Sequence, residues 1–432
     1  MFSPKVHRQK KHRNADPAPN VIQAKIGFEF ELSAWRTYRS VPGREPPQEK
    51  YPKATSLVSN PDFEISTDYV GGGSDLEVDT RPFDESTEGL EEALVMSRKV
   101  RSLFNRLQSP GDRYSKKTSP VSELTDFGKV REPDGFIEAT GESNVYPQIT
   151  AGIALDAIPG MFRDLGADDQ GTESREEKER KMPGRVALCN YKPVGASLSE
   201  PLQGIKLFHM HRFLDRLPDG ITYFKECFPE FSDWEPSPEM CGLLALTTQY
   251  MEDCGIRNNL SPKIGFMFIA RTDFARITEL LPPREQELFL GSNADNWLKL
   301  FRCFNYKEEE DMERPLYRGG VYHYNPYKNH QVMDALKLGD WILNMAKGKD
   351  LLTKKHFPDR QYAEEPRSLG EFGDRTEPVG QDGRQAPILE FRKAKTLASA
   401  DELPEMVEKS FKAIYAINHG IDRKYGEEFS LA

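Results

Sequence analysis

An α+β fold built on a mostly antiparallel sheet is what this sequence predicts, and three observations predict it. Short segments at 26–33, 74–80 and 388–392 alternate apolar and polar residues, the period-2 pattern of half-buried strands. Segments such as 87–107 and 400–417 repeat apolar residues at helical spacing instead. Long polar stretches separate the two kinds of element and read as loop insertions.

The first strand lies in V-I-Q-A-K-I-G-F-E-F-E-L-S-A-W, from Val21 to Trp35, where Ile26, Phe28, Phe30 and Leu32 alternate with Gly27, Glu29, Glu31 and Ser33. One face is apolar and the other carries two carboxylates. Neighbours on one strand face are roughly 7 Å apart, so these like charges repel unless a cation, a basic side chain or water relieves them. A Pro-rich loop is expected between Val41 and Lys53. Phe63 to Thr67 forms the next strand, followed by Asp68, a glycine turn at Gly71 to Gly73, and a strand from Asp75 to Thr80. There Leu76 and Val78 oppose Asp75, Glu77 and Asp79, a second acidic face, with Asp75 and Asp79 read as turn and surface acids.

Thr87 to Leu107 is an amphipathic helix with Asp84, Ser86 and Thr87 as candidate N-caps. Tyr146 to Leu155 reads as a strand with Ile149, Ala151 and Ile153 on one side and Gln148, Thr150 and Gly152 on the other. The 166–185 segment is nearly devoid of apolar residues and reads as a mobile, charged insert. Leu207 to Gly255 is helical by pattern, with breaks expected at Pro218, Pro229, Pro236 and Pro238. Pro262 to Ala270 is an apolar strand ending in Arg271, after which Thr272 is placed to cap a short helix that stops at Pro282-Pro283. A helix over Gln331 to Ala346, a lid-like loop over 356–387, a strand over Ile388 to Arg392 and a last helix over Ala400 to Ile417 complete the chain.

With 432 residues the chain exceeds the usual size of a simple core. It divides into a flexible basic arm over 1–20 and a single large domain over 21–432. Charged residues make up 30%, and the net charge of -10 argues against a nucleic-acid protein in which a basic field dominates binding, while no stretch approaches the ~18 continuous apolar residues of a membrane span. Cys189, Cys227, Cys241, Cys254 and Cys303 contain no C-x-x-C pair and an odd number, which fits buried, reduced thiols of a cytoplasmic protein. The basic N-terminus has no apolar stretch behind it, and delivery without a cleaved signal stays open. His209-Met-His211 falls in a helical stretch where i and i+2 point apart, so it reads as structural. Tyr322-His323-Tyr324-Asn325 reads as core or loop.

If the acidic strands share a sheet, Glu29, Glu31, Asp68, Glu77 and Glu390 converge on one face. Oxygen donors without His or Cys suit hard cations, Mg²⁺ or Mn²⁺. Such ions beside an arginine are the usual equipment for handling ATP phosphates, and Arg392 and Arg271 are the candidates. Glu77 has an ordinary alternative, a pairing with Arg81 or a neighbouring lysine.

The residues also resemble a known family. G-F-E-F-E at 27–31, D-Y-V-G-G-G-S-D-L-E-V-D-T-R-P-F at 68–83 and L-E-F-R at 389–392 are similar, in order and spacing, to segments of the glutamine-synthetase-fold carboxylate-amine ligases, the amidoligases related to glutamate-cysteine ligase. The resemblance implies a curved sheet of glutamine-synthetase catalytic type, with helices on its outer face. It implies ATP- and Mg-dependent amide formation through an acyl phosphate, from a carboxylate and an amine of unknown identity. By position it makes Glu29, Glu31, Asp68, Glu77 and Glu390 metal ligands and Arg392 a phosphate or acyl-phosphate contact. Relatives often place a histidine on a central strand where this chain has Gln148 and Thr150, which would contact metal or nucleotide. A phosphotransferase of the same fold, a secreted effector that keeps the fold, and a metal-dependent hydrolase are the alternatives.

Overall fold

A computed structural model of the chain describes residues 24–32, 35–40, 48–52, 54–70, 73–108, 115–140, 145–166, 208–256, 268–272, 274–304, 312, 337–348, 386–391 and 399–419. The arm over 1–20, all of the 166–185 insert but Gly166, the loop over 356–385, Asp273, Tyr322 to Asn325 and Arg392 lie outside the described residues.

The strands are β1 (Lys25–Leu32), β2 (Arg36–Ser40), β3 (Gln48–Lys50), β4 (Ser56–Ser59), β5 (Phe63–Val70), β6 (Gly73–Thr80), β7 (Phe83–Asp84), β8 (Lys116–Pro120), β9 (Lys129–Val130), β10 (Gly135–Thr140), β11 (Val145–Gly152), β12 (Phe268–Ala270) and β13 (Ile388–Phe391). The helices are α1 (Thr87–Leu107), α2 (Ile158–Gly166), α3 (Phe208–Cys227), α4 (Pro238–Ile256), α5 (Phe274–Thr278), α6 (Pro283–Phe289), α7 (Ala294–Arg302), α8 (Leu338–Ala346) and α9 (Leu403–His419). The class is therefore α+β, with an open sheet. No described helix is long and apolar enough to cross a membrane.

The larger sheet runs β12-β13-β11-β1-β6-β5-β4-β9, with β7 paired to the start of β1. Every pairing is antiparallel. β1 sits at its centre because its apolar residues find apolar partners on both sides. Phe28 lies opposite Ile149, and Phe30 and Leu32 lie opposite Val78 and Leu76. All of these side chains are buried. Burying one such side chain contributes about 1.5–3 kcal/mol, so a one-residue slip of β1, which would turn the set outward, is strongly disfavoured.

Two helices cover this part of the sheet. α1 begins at Ser86, whose Oγ accepts the Gly89 N–H at 3.1 Å. It lies against α9, and α9 against β1, with Leu103, Phe104, Val407 and Phe411 in the same continuous core as the strands. Ser399 and Glu402 form a capping box just before α9.

The same core continues among α3, α6 and α7, where Phe224, Phe231, Trp234, Phe289 and Trp297 pack as ring pairs 4.8 to 6.2 Å apart. α4 is buried from Met240 to Gln249 and packs so closely on Leu155 that a Cβ at Gly242 would lie 1.7 Å from the Leu155 carbonyl oxygen.

Several expectations are corrected. Pro218 lies inside α3 and does not break it. The buried Phe213, Leu214, Leu217, Ile221 and Phe224 hold both halves of the helix against the core, which outweighs the lost hydrogen bond. Pro282-Pro283 does not end α5. Pro283 is the first residue of α6, where a missing N–H costs nothing. The stretch read as loop between 41 and 53 contains β3, which joins β2, β10 and β8 in a second sheet ordered β3-β2-β10-β8 that the sequence analysis did not foresee. Cys241 and Cys303 are buried as expected, but Cys227 is exposed. His209 and His211 do lie on a helix, α3.

Candidate metal centre on the sheet face

Antiparallel register decides which side chains meet, because residues directly opposite one another project from the same face. Glu29 lies opposite Asp79 on β6 and Gln148 on β11, and Glu31 lies opposite Glu77 and Tyr146. Ser66 and Glu64 of β5 extend these two rows, opposite Glu77 and Asp79. The second face of β1 thus belongs to a polar surface spanning four strands. Where the β1–β6 ladder ends, Thr80 Oγ1 accepts the Phe28 N–H at 2.8 Å and holds the register that aligns the acids.

One carboxylate oxygen from each of Glu29, Glu31 and Glu77 falls within 4.8 Å of the other two, and all three side chains are half-buried. Oxygens about 2.1 Å from an octahedral Mg²⁺ stand about 3 Å apart when adjacent and about 4.2 Å apart when opposite. Three carboxylates at this spacing fit a hard divalent cation with little rearrangement, and they offer no nitrogen or sulfur to a softer one.

Gln148 reaches into this group from β11. Its Nε2 donates to Glu29 Oε1 at 3.0 Å and to Glu31 Oε1 at 2.6 Å. The side chain is only 2% exposed, and its Oε1 has no hydrogen-bond partner among the described residues.

Asp79, which the sequence analysis set aside as a surface acid, belongs to the same cluster. Burial first, and then the charge of Glu29, push its carboxyl up to about 7, against the lowering effect of side-chain hydrogen bonding with Ser66 and Glu77. Ser66 Oγ lies 3.3 Å from Asp79 Oδ2. The signal that would have found Asp79 is its parity with Glu77 on one strand. Arg81 turns to the helix side, pairing with Glu92 at 2.6 Å and Asp62 at 3.7 Å and standing 4.5 Å over the Phe83 ring. Its use as the partner of Glu77 is thereby not what the geometry shows.

The remaining sequence candidates occupy the same sheet at different places. Asp68 lies opposite Asp75 in the β5–β6 register, two residues, about 7 Å, beyond Ser66 along β5. Glu390 lies opposite Thr150, which in turn lies opposite Gly27. That row puts Glu390 two strands from β1, about 10 Å across the sheet. Glu390 is fully buried and forms an ion pair with Arg271 Nε, so it stands apart from the three-glutamate group. Arg271 itself is set by β13, since its N–H and that of Thr272 donate to the Ile388 carbonyl at 2.8 and 3.3 Å. Thr272 Oγ1 accepts the Ile388 N–H at 2.8 Å, a role in fixing the strand in place of the helix cap expected for it.

An α+β protein with an oxygen-only, cation-suited cluster on an open antiparallel sheet is the class that fold and site define. No family model and no curated protein matches the chain. It is similar to two solved structures. One is the ACD domain of a VgrG toxin of Vibrio cholerae, a mutant in complex with ADP and Mn²⁺, at 12% identity and a TM-score of 0.38, covering 88% of this chain and 97% of the other. The second is a Vibrio cholerae toxin from the MARTX/VgrG family, at 13% identity and a TM-score of 0.36, with the same coverage. Likenesses at these scores define neither the fold type nor the activity of this chain.

Proposed function

We propose that this chain is an ATP- and Mg²⁺-dependent carboxylate-amine ligase working on a sheet of glutamine-synthetase catalytic type. The observation that carries the reading is the convergence of Glu29, Glu31 and Glu77 oxygens within 4.8 Å on one sheet face. The sequence motifs at 27–31, 68–83 and 389–392 support it, since their described residues lie along β1, β5, β6, β7 and β13 of one sheet.

In this reading Glu29, Glu31 and Glu77 hold a divalent cation, Mg²⁺ or Mn²⁺, with Asp68 and Glu390 as outlying acids of the same face. The cation supplies neutralisation of phosphate charge when bound. Arg271, oriented by Glu390, and Arg392 contact the transferred phosphoryl group, and Gln148 and Thr150 line the ion and nucleotide. The substrate carboxylate takes the γ-phosphoryl of ATP to give an acyl phosphate and ADP. An amine then attacks the acyl carbon, inorganic phosphate leaves, and an amide remains. No enzyme nucleophile enters this sequence, so the chain acts by positioning and by charge. The carboxylate and amine are a small molecule, peptide or protein side chain, with neither nucleic acid nor membrane as partner. Action in the producing cell's cytoplasm and action as a delivered effector are both compatible with it.

The test is ADP and phosphate release by the purified chain over pools of amino acids, peptides and polyamines, with products identified by mass spectrometry. An amide formed only with ATP and Mg²⁺ is expected, and Glu29→Gln or Glu77→Gln should abolish it. A stable phosphorylated acceptor would replace this reading with a phosphotransferase. Turnover that survives both substitutions would end it.

A further inference from the structure

Gln148 Nε2 donates to both Glu29 Oε1 and Glu31 Oε1, so the nitrogen of the amide lies between the two carboxyl groups and the amide oxygen faces away. That oxygen is buried and has no hydrogen-bond partner among the described residues. A polar atom in that condition is uncommon in a folded protein and calls for a reason.

The side chain has little freedom to find one elsewhere. Gln148 stands in the middle of β11, which is paired on one side to β1 and on the other to β13. It is 2% exposed, and Pro147 and Ile149 beside it are buried in the opposite face. A swing into solvent would have to displace the side chains that bury it. A half-turn about the last side-chain torsion needs no new volume, because the amide NH₂ and oxygen are nearly equal in size.

A cation between Glu29, Glu31 and Glu77 would face the two N–H dipoles of Gln148, which repel it. The same half-turn replaces that repulsion with an oxygen ligand, and the ion takes over the charge relief that the two hydrogen bonds provided. The cost is confined to those two bonds, since one buried atom without a partner is exchanged for another on the far side.

We propose that Gln148 is a two-position element, an NH₂ brace across Glu29 and Glu31 that turns over to become an oxygen ligand when a hard divalent cation binds, and that it sets the preference of the site for such cations. This rests on the reading of the three glutamates as a divalent-cation site. Four oxygens, one of them neutral, favour Mg²⁺ or Mn²⁺ over Zn²⁺, which prefers nitrogen or sulfur.

The experiment measures Mn²⁺ binding to the full chain by electron paramagnetic resonance, with infrared difference spectra of ¹³C-glutamine-labelled protein on adding Mg²⁺. Failure of the wild-type chain to bind Mn²⁺ would remove the cation site itself, and the proposal with it. With binding intact, Gln148→Leu should weaken it about tenfold or more. The wild type should also show a downshifted amide carbonyl band that Gln148→Leu lacks.

Equal or tighter Mn²⁺ binding by Gln148→Leu would overturn the proposal and leave the amide as a brace that competes with the ion. If Gln148→Leu does not fold, the wild-type infrared spectrum decides alone, and the absence of a shifted band refutes the half-turn. Gln148→His, which substitutes a nitrogen ligand, should raise Zn²⁺ relative to Mn²⁺ about tenfold, and an unchanged ratio would refute the role in preference.

Discussion

One acid and a group of three sit toward opposite ends of β1, and the chain treats them differently. Glu85 lies just past β7, 6% exposed, near the beginning of the strand. It receives the Ala24 N–H at 3.2 Å and the Asn418 amide at 3.2 and 3.3 Å. Asn418 also accepts the Ala154 N–H at 3.0 Å and donates to the Gly152 carbonyl at 2.9 Å, so one carboxyl ties together the start of β1, the end of β11 and α9. Burial pushes this carboxyl up to about 8, against the lowering effect of those hydrogen bonds. At the other end Glu29, Glu31 and Glu77 crowd together while remaining half-buried. A single sealed acid can take up a proton and serve as a joint. Three crowded acids open to solvent fit an ion that arrives from outside.

The sharpest way to break this comparison is to remove carboxylates from each group and measure cation binding. Glu31→Gln and Glu77→Gln are each expected to weaken Mn²⁺ binding about a hundredfold, while thermal stability without cation holds or rises because repulsion is relieved. Glu85→Gln should leave Mn²⁺ affinity unchanged. Equal losses from both groups would mean that the crowded acids are structural.

Stability reverses the ranking. Glu85→Leu leaves the Ala24 N–H and one Asn418 donor without their acceptor in a sealed position, at about 1–3 kcal/mol for such a loss. Chemical denaturation should register it, and a midpoint shift no larger than that of Glu85→Gln would show that the joint is held by packing alone.

This contrast also shows what was legible beforehand. β1, the β5–β6 hairpin, α1 and α9 were readable because each combines strong periodicity with local signals, and the bounds of α1 agree with its pattern to the residue. The three-glutamate cluster was readable because parity along β1 and β6 places its acids, and only the pairing of those two strands had to be assumed. The second sheet was not legible, since β3 and β8 are short and polar and owe their form to pairing with β2 and β10. Glu85 carries no motif at all. Its importance arises from Asn418, 333 residues away, which no local pattern can announce. The pairing of Glu390 with Arg271 joins strands 119 residues apart in the same way.

A pH series sharpens the comparison further. Both raised acids hold an extra proton in the folded state, so the stability linked to them is complete below their unfolded values and declines as pH rises. Asp79 loses its part as pH climbs from about 4 through about 7, and Glu85 as it climbs from about 4.5 through about 8. The melting temperature should therefore fall between pH 5 and 8.5. Glu85→Gln should remove the part of the fall above pH 7, and saturating Mg²⁺ should suppress the part due to Asp79. A melting temperature in Glu85→Gln that still declines through pH 8 would contradict the role of Glu85.

The smallest effect separates the Glu85 carboxyl from the junction in which it sits. Ser86 follows it directly and caps α1, so Ser86→Ala removes the acceptor of the Gly89 N–H and should cost about 1 kcal/mol. This loss carries no titrating group. It should appear equally at pH 5 and pH 8.5 and leave Mn²⁺ binding untouched, because the cap holds α1 and not the rows of β1 and β6. A Ser86→Ala penalty that grew with pH would mean that the cap and the Glu85 joint form one unit, with the strand-to-helix turn transmitting the charge of the acid to the first turn of α1.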